Sequence, residues 1–164
     1  MIRPMIDRPS GTVTFLFTDV EGSTRLWQED PDAMTAALAR HDVMLRAAIS
    51  EDGGYVFSTA GDAFAAAFGR AGAAVRAATA AQRALQTERW PGDIALRVRM
   101  GIHTGEAVER DGDYFGPALN RGAQRDCNNN VRAHGLRRLG RKIVQQTAIH
   151  QQATVTLHRG KDAR

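Results

Sequence analysis

The chain has 164 residues, of which 43% are hydrophobic and 24% are charged, and its formal net charge is +4. This length suits one domain with a core of its own, and the apolar content excludes a globally disordered chain. A single cysteine excludes a disulfide framework, and no uncharged apolar run approaches the roughly 18 residues of a membrane span. The first ten residues also lack the apolar stretch of a secretion signal. We therefore expect a cytoplasmic protein with no membrane partner.

The positive charge is concentrated at the C-terminal end. Residues 1–121 contain 13 arginines, no lysine and 16 acidic residues, whereas residues 122–164 contain nine basic and two acidic residues. The second segment has no aromatic residue, although a surface that stacks nucleic-acid bases interleaves aromatic with basic side chains. We expect no specific nucleic-acid partner, because a basic tail of this kind attracts polyanions only nonspecifically.

The first half of the chain alternates strand and helix patterns. Residues 12–19, TVTFLFTD, form an apolar run typical of a buried strand, and the Gly-Ser-Thr sequence that follows is typical of a turn into a helix. An apolar stripe at helical spacing predicts a helix from Pro31 to about Ser50. Two short apolar runs, 55–59 and 63–68, flank a Gly-Asp pair, which predicts a β-hairpin.

The second half continues this alternation. Residues 71–87 are rich in alanine and predict a helix, and residues 95–102 alternate apolar side chains with arginines, as in a half-buried strand with Arg99 on its polar face. A Thr-Gly turn then separates this strand from a possible strand over 106–110, and residues 114–125 predict a loop that leads into a helix. Val75, Ala78, Gln82 and Leu85 fall roughly in line along the alanine-rich helix, and we expect this helix to belong to the core.

The order of these elements is β-α-β-β-α-β. It predicts a ferredoxin-like α+β fold, in which helices cover one face of an antiparallel sheet. The domain is expected to cover residues 11–121, because periodic signals fade after that point. Residues 122–164 predict a divergent, basic and poorly ordered tail with weak strand signals at 143–144 and 154–157. The abrupt change in composition indicates an out-of-frame or unrelated segment, with a divergent functional tail as the alternative.

Two carboxylates are the first candidates for chemistry. Asp19 ends the first strand and Asp62 lies in the hairpin turn, so a sheet of this order brings both towards one edge. Paired carboxylates beside a Gly-Ser-Thr turn suit two magnesium ions and a triphosphate, whose oxygens the amides of Gly22, Ser23 and Thr24 would bind. From spacing alone, a helix N-cap role for Asp19 and a plain turn role for Asp62 remain open.

The chain resembles the catalytic domain of the class III adenylyl and guanylyl cyclases, and most closely the actinobacterial type. Four segments carry the resemblance in the same order: FTDVEGSTRLW, FSTAGDAFAAAF, LRVRMGIHTGEA and DYFGPALNR. They lie within residues 11–121, so the family's C-terminal part is expected to be incomplete here. The resemblance implies conversion of ATP to cyclic AMP and pyrophosphate with two Mg²⁺ or Mn²⁺ ions. It also implies a head-to-tail homodimer, or a heterodimer with another cyclase domain, with active sites at the interface.

The resemblance assigns one half of each site to a first subunit. Asp19, Asp62 and the carbonyl of Val20 match the metal contacts of the family. Arg99 matches the arginine that holds the triphosphate, and its place on the polar face of a strand agrees with that role. A surface strand residue is the alternative for Arg99.

The partner subunit would supply the other half. Ser58 stands where adenylyl cyclases usually carry an adenine-reading lysine, Asp113 matches the adenine-reading aspartate, and Asn120 matches the asparagine that orients the ribose. Gln124 occupies the position expected for the arginine that stabilises the transition state. Arg125 lies about 100° further round a helix and would point elsewhere. Removing one such donor typically costs about 10²–10³ in rate.

These departures predict a cyclase domain that is impaired or inactive by itself. The alternative is a non-catalytic module that binds nucleotide or pairs with another cyclase. A diguanylate cyclase on a related fold is disfavoured, because its hairpin would read Gly-Gly-Asp/Glu-Glu-Phe, whereas the hairpin here reads Ala-Gly-Asp-Ala-Phe.

Overall fold

The strands and helices alternate as their sequence patterns predict. A computed structural model describes residues 8–119 and the backbone of strand Thr154–Leu157. The elements in this part of the chain are β1 (Gly11–Val20), α1 (Ser23–Glu29), α2 (Pro31–Glu51), β2 (Tyr55–Ala60), β3 (Ala63–Phe68), α3 (Ala71–Thr87), β4 (Val98–Arg110), β5 (Asp113–Phe115) and β6 (Thr154–Leu157). No helix among the described residues is both long and apolar enough to cross a membrane.

Strand β1 is the centre of an antiparallel sheet. The strand order is β2-β3-β1-β4-β5, and β6 also pairs with β4. β1 pairs with β3 from Thr14 opposite Phe68 to Thr18 opposite Phe64, and it pairs with β4 along its whole length. The predicted ferredoxin-like arrangement is therefore observed, with the short helix α1 and strand β5 as additions. The register also places the C-terminal end of β1 beside the start of β4.

The two faces of β1 have different surroundings. Leu16 and Val20 face helices α2 and α3, where they join a core that contains Met34, Leu45 and Phe68. The alternate residues of β1 face the opposite side, where the covering residues come from β2, β5 and the segment after β5. This second core contains Val13, Phe15, Phe17, Ala65, Ala67, Ala107, Tyr114, Ala118 and Leu119.

Strand β4 is longer and more continuous than its sequence suggests. The predicted turn at Thr104-Gly105 is wrong, because β4 runs unbroken through these residues. Val13 lies opposite Gly105, and the hydroxyl oxygens of Thr14 and Thr104 are 2.9 Å apart, within hydrogen-bond distance. Ten-residue pairing with β1 thus keeps β4 extended where a Thr-Gly pair alone favours a turn. The strand also begins at Val98 rather than at residue 95.

The buried face of α3 differs from the line that its sequence suggests. Val75 is 38% exposed, so the line that it shares with Ala78 and Leu85 is not the buried face of the helix. The buried side chains are instead mostly small: Ala73, Ala74, Ala77, Ala78, Ala81 and Leu85. Small side chains allow α3 to approach its neighbours closely, which is why alanines rather than the larger valine face inward. Gln82 is half-buried and donates to the Val98 carbonyl oxygen at 2.7 Å.

The region after β4 is partly described. Asp113–Phe115 form strand β5, so the prediction of a loop is wrong at Tyr114 and Phe115. Strand β6 coincides with the weak strand signal at 154–157 and pairs with β4 from Met100 to His103. The rest of 122–164, and with it the expected poor order of the tail, lies outside the described residues.

Candidate functional site

An ion pair joins the ends of two neighbouring strands. Asp19, the penultimate residue of β1, lies directly opposite Arg99, the second residue of β4. The Arg99 Nε donates to Asp19 Oδ1 at 3.1 Å, and Nη2 donates to Oδ2 at 2.5 Å. The Asp19 side chain is 11% exposed and the Arg99 side chain 28% exposed. The alternative that Arg99 is a plain surface residue is therefore wrong, since it binds a buried carboxylate through both oxygens.

The second carboxylate reaches the same strand end. Asp62 follows Gly61 in the tight β2–β3 turn, where Gly61 adopts a left-handed φ of 62° that glycine accepts without strain. The Asp62 Oδ2 accepts a hydrogen bond from the backbone N–H of Val20 at 2.8 Å. The predicted approach of Asp19 and Asp62 is therefore observed. We call the group of Asp19, Asp62 and Arg99 the acidic end of the sheet.

Asp19 does not cap a helix. The N-cap position of α1 is Gly22, with a φ of 67°, and no side chain accepts a hydrogen bond there. The Glu21 amide donates to the Arg97 carbonyl oxygen at 2.8 Å, so the chain leaving β1 is still bonded to the residue that precedes β4. The N-cap alternative for Asp19 is wrong because the residue remains inside the strand, with its carboxylate bound to Arg99.

The acidic end carries an unfavourable negative charge. Burial raises the pKa of the Asp19 carboxyl above its ordinary value, Arg99 lowers it by charge and hydrogen bonding, and the nearby carboxylates of Asp62 and Glu21 raise it again. The net direction is upward, so Arg99 does not fully offset the loss of water around Asp19. A further cation at this place would relieve the remaining cost.

The oxygen donors of the acidic end suit a hard divalent cation. No group of three or more His, Cys, Asp or Glu side chains within the described residues forms a complete metal site. Mg²⁺ does not need one, because it usually binds through one or two carboxylates together with substrate phosphates and water. The carboxylates of Asp19 and Asp62 fit such a shared site, and the Val20 carbonyl oxygen stays a predicted further ligand.

The residues predicted to bind phosphate begin the short helix α1. Gly22 and Thr24 are exposed and Ser23 is half-buried. The first helical hydrogen bonds run from the amides of Arg25 and Leu26 to the Gly22 carbonyl oxygen. The Gly-Ser-Thr amides therefore precede the hydrogen-bonded part of the helix, three to five residues after Asp19. Their role in binding phosphate stays a prediction.

A second group of side chains lies on the same face of the sheet, away from the acidic end. The Tyr114 ring lies 5.4 Å from the Phe15 ring and 5.0 Å from the Phe57 ring, centroid to centroid. The Tyr114 hydroxyl donates to the Pro9 carbonyl oxygen at 2.8 Å. We call the group of Phe15, Phe57 and Tyr114 the aromatic end of this face. It holds the β4–β5 hairpin over the sheet, so β5 approaches β2.

The aromatic end brings together two of the predicted base-reading segments. Phe57 precedes Ser58, and Tyr114 follows Asp113. The β2–β3 register shifts at Phe57, and the half-buried Ser58 lies opposite Ala65, on the face that Asp19 shares. The Asp113 carboxylate accepts a hydrogen bond from the Tyr114 amide at 2.8 Å.

Sequence reasoning missed the contact between Phe57 and Tyr114, although aromatic residues beside both candidate positions were a signal. Asn120 and Gln124 lie outside the described residues, so their predicted roles remain predictions.

Comparisons with a family model and with known proteins point to the same protein family. Residues 5–126 match the family model described as the adenylate and guanylate cyclase catalytic domain. An uncharacterized protein of Mycobacterium tuberculosis is 45% identical over 118 residues, which cover 71% of this chain and 39% of that protein. The adenylate cyclase of Lachancea kluyveri is 34% identical over 148 residues, which cover 75% of this chain and 8% of that enzyme. The chain thus spans less than half the length of these relatives.

Solved structures show the same fold. An adenylate cyclase structure from Trypanosoma brucei, described in its monomeric state, is 30% identical with a TM-score of 0.65 and covers 71% of this chain and 67% of that one. An adenylate/guanylate cyclase/hydrolase from Silicibacter pomeroyi is 31% identical with a TM-score of 0.58 and covers 73% and 71%. The α+β sheet described above is therefore the fold of these proteins.

Proposed function

The chain belongs to the family of adenylate and guanylate cyclase catalytic domains, and on this premise we propose that it supplies the metal- and phosphate-binding half of an adenylyl cyclase site. The observation that carries the proposal is the convergence of Asp19, Asp62 and Arg99 at one end of β1. Two carboxylates and one arginine at the end of a sheet match the charges of a metal–triphosphate complex.

The proposed reaction converts ATP to cyclic AMP and pyrophosphate. The ribose 3′-oxygen bonds to the α-phosphorus, the bond from that phosphorus to the oxygen of the pyrophosphate breaks, and the hydroxyl proton passes to solvent. Bound Mg²⁺ or Mn²⁺ ions would supply Lewis-acid stabilisation of the attacking and leaving oxygens. Asp19 and Asp62 would hold these ions together with the Val20 carbonyl oxygen, and Arg99 would bind the triphosphate.

The other half of the site is proposed to come from a partner domain. Ser58 and Asp113 lie at the aromatic end rather than beside the metal-binding carboxylates, which supports a site shared by two chains. The Asp113 carboxylate can accept a hydrogen bond from the amino group of adenine, which favours ATP over GTP. Ser58 is half-buried, so part of its side chain remains open to a partner's nucleotide.

We propose that the chain turns over ATP poorly by itself. The Ser58 side chain is shorter than the lysine side chain usual at this position, and Gln124 lacks the positive charge of the expected arginine. The same two residues favour a second candidate function, a module that binds nucleotide or pairs with another cyclase without turnover. The two candidate functions differ in one respect. Only the first expects the acidic end to support cyclic AMP formation when another chain completes the site.

A mixing experiment separates them. The chain is combined with an active cyclase domain whose own metal-binding aspartates are replaced by asparagine, with Mn²⁺ and ATP present and heterodimer formation verified by crosslinking. We expect cyclic AMP from the mixture and almost none from either protein alone. Asp62→Asn in this chain removes the signal, because asparagine can still accept from the Val20 amide but lacks the charge that holds a cation. Asp93→Asn, at an exposed position, retains it.

Two results would contradict the proposal. A crosslinked heterodimer that produces no cyclic AMP would reject a working metal half and leave the non-catalytic module. High activity from the chain alone would reject the assigned loss at Gln124.

A further inference from the structure

Arg99 binds the Asp19 carboxylate, which is one of the two carboxylates proposed to bind metal. Both Asp19 oxygens accept hydrogen bonds from the guanidinium, which leaves this carboxylate neutralised from within the chain. Asp62 differs, because its carboxylate accepts a hydrogen bond from the neutral amide of Val20. A cation that binds Asp62 meets no internal competitor among these contacts, whereas a cation that binds Asp19 competes with Arg99.

We propose that Arg99 is an exchangeable counter-ion: a divalent cation displaces it from Asp19, and the released guanidinium then binds the phosphates of the nucleotide. This inference rests on the proposed function, because it takes the acidic end as a metal site. It adds that the phosphate-binding arginine is held by Asp19 until the metal arrives. Tight binding of the triphosphate by Arg99 therefore requires metal at Asp19.

The ion pair has the properties that such an exchange requires. Removing two charges from water cancels much of their attraction, so a partly buried pair contributes little net stability and can be replaced by a better partner. A divalent ion carries twice the charge of the guanidinium. Arg99 also keeps 28% of its side chain exposed and has three further N–H groups beyond the two that bind Asp19, so it can turn towards a phosphate on the open side.

The first experiment measures Mn²⁺ binding to the full chain without nucleotide, from the electron paramagnetic resonance signal of free Mn²⁺. Arg99→Gln removes the competing cation, and we expect the affinity to rise about tenfold, or about 1.4 kcal/mol. Arg97→Gln is the matched control, because it removes an equal charge two residues away from an exposed side chain. We expect it to change the affinity less than about threefold, as a field effect screened by water and salt.

A conservative variant guards against misfolding. Arg99→Lys keeps the charge but offers one nitrogen rather than a planar fork, so it should bind Asp19 less firmly and give an intermediate Mn²⁺ affinity. If Arg99→Lys binds Mn²⁺ no more tightly than the unchanged chain does, the proposed exchange is wrong.

The second experiment observes the guanidinium itself. In a chain with ¹⁵N-labelled arginine, the resonance of the Arg99 Nε–H group is assigned by its loss in Arg99→Gln. On titration with Mg²⁺, it should move towards the position of a free arginine and exchange faster with water. A resonance that stays in place while Mg²⁺ saturates the site would overturn the proposal, because cation and arginine would then share Asp19.

The outcomes distinguish this inference from the proposed function. If the chain binds Mn²⁺ and Arg99→Gln changes the affinity no more than Arg97→Gln, the exchange is wrong and the metal half stands. If neither the unchanged chain nor Arg99→Gln binds Mn²⁺, both are wrong. Mn²⁺ binding by Arg99→Gln that is tighter than binding by both the unchanged chain and Arg97→Gln supports the exchange, whatever the activity of the mixture.

Discussion

The acidic end and the aromatic end lie on one face of the same sheet, and they are built on different principles. At the acidic end, polar groups from β1, β4 and the β2–β3 turn bind one another directly, as in the pair of Asp19 and Arg99. At the aromatic end, apolar rings hold the backbone, while the neighbouring polar residues Ser58 and Asp113 are not engaged with the acidic end. One end is thus organised by polar contacts and the other by apolar ring contacts, and only the proposed function assigns the polar residues beside the rings to a site shared with a second chain.

The largest expected effect tests the transition-state role proposed for position 124. If position 124 has the proposed role, Gln124→Arg introduces a transition-state donor, and we expect cyclic AMP formation by the chain alone to rise about 10²–10³-fold. The measurement is cyclic AMP production with Mn²⁺ and ATP. Ala123→Arg is the control, because it adds the same charge one residue away. Equal effects of the two substitutions would show that charge alone, and not the position of the donor, changes the rate.

A smaller effect tests how the aromatic end is held. Tyr114→Phe keeps the ring contacts with Phe15 and Phe57 but removes the hydroxyl that donates to Pro9. We expect the free energy of unfolding in urea to fall by about 1 kcal/mol, the usual net value of one hydrogen bond. Tyr55→Phe, which removes a longer bond of 3.2 Å to Gly112, should cost less. An equal or larger loss in Tyr55→Phe would contradict the role assigned to Tyr114 as the anchor of the β4–β5 hairpin.

The smallest effect concerns the charge of the acidic end. The pKa of Asp19 is raised in the folded chain, so its favourable contribution is complete below about pH 3.8, the ordinary value, and is lost as the pH rises through the folded value. Relative to Asp19→Asn, the metal-free chain should therefore lose stability as the pH rises. Urea unfolding of both proteins between about pH 3 and pH 7 measures this difference. A relative stability that increases with pH would mean that Arg99 outweighs the cost of burial.

Metal should reduce this loss. With Mg²⁺ at saturation, the ionised form of Asp19 gains a partner, so stability near neutral pH should recover in the unchanged chain and much less in Asp19→Asn. The comparison uses the same unfolding measurement, and equal recovery in both proteins would locate the cation elsewhere.

The local elements of this protein follow from its sequence with few exceptions. The apolar run of β1, the glycine-containing turn before Ala63 and the helical spacing from Pro31 each depend on residues close together in the chain, and the structure confirms them. The four motifs also indicated the family. Two of the failures have one cause in common: at Val75 and at the Thr104-Gly105 pair, tertiary packing overrides the local pattern.

The partners of the candidate residues depend on the tertiary structure. The sequence pattern predicted that Asp19 and Asp62 lie at one edge of the sheet. It did not indicate that Arg99, 80 residues from Asp19, would bind both oxygens of its carboxylate. That contact requires the register between β1 and β4, which ten consecutive pairs determine together. The aromatic end likewise requires the β4–β5 hairpin to fold back over β2, since the rings of Phe57 and Tyr114 are 57 positions apart in the chain. The periodicity of apolar residues indicates on which face of a strand a residue lies. The pairing of the strands determines which side chains it contacts there.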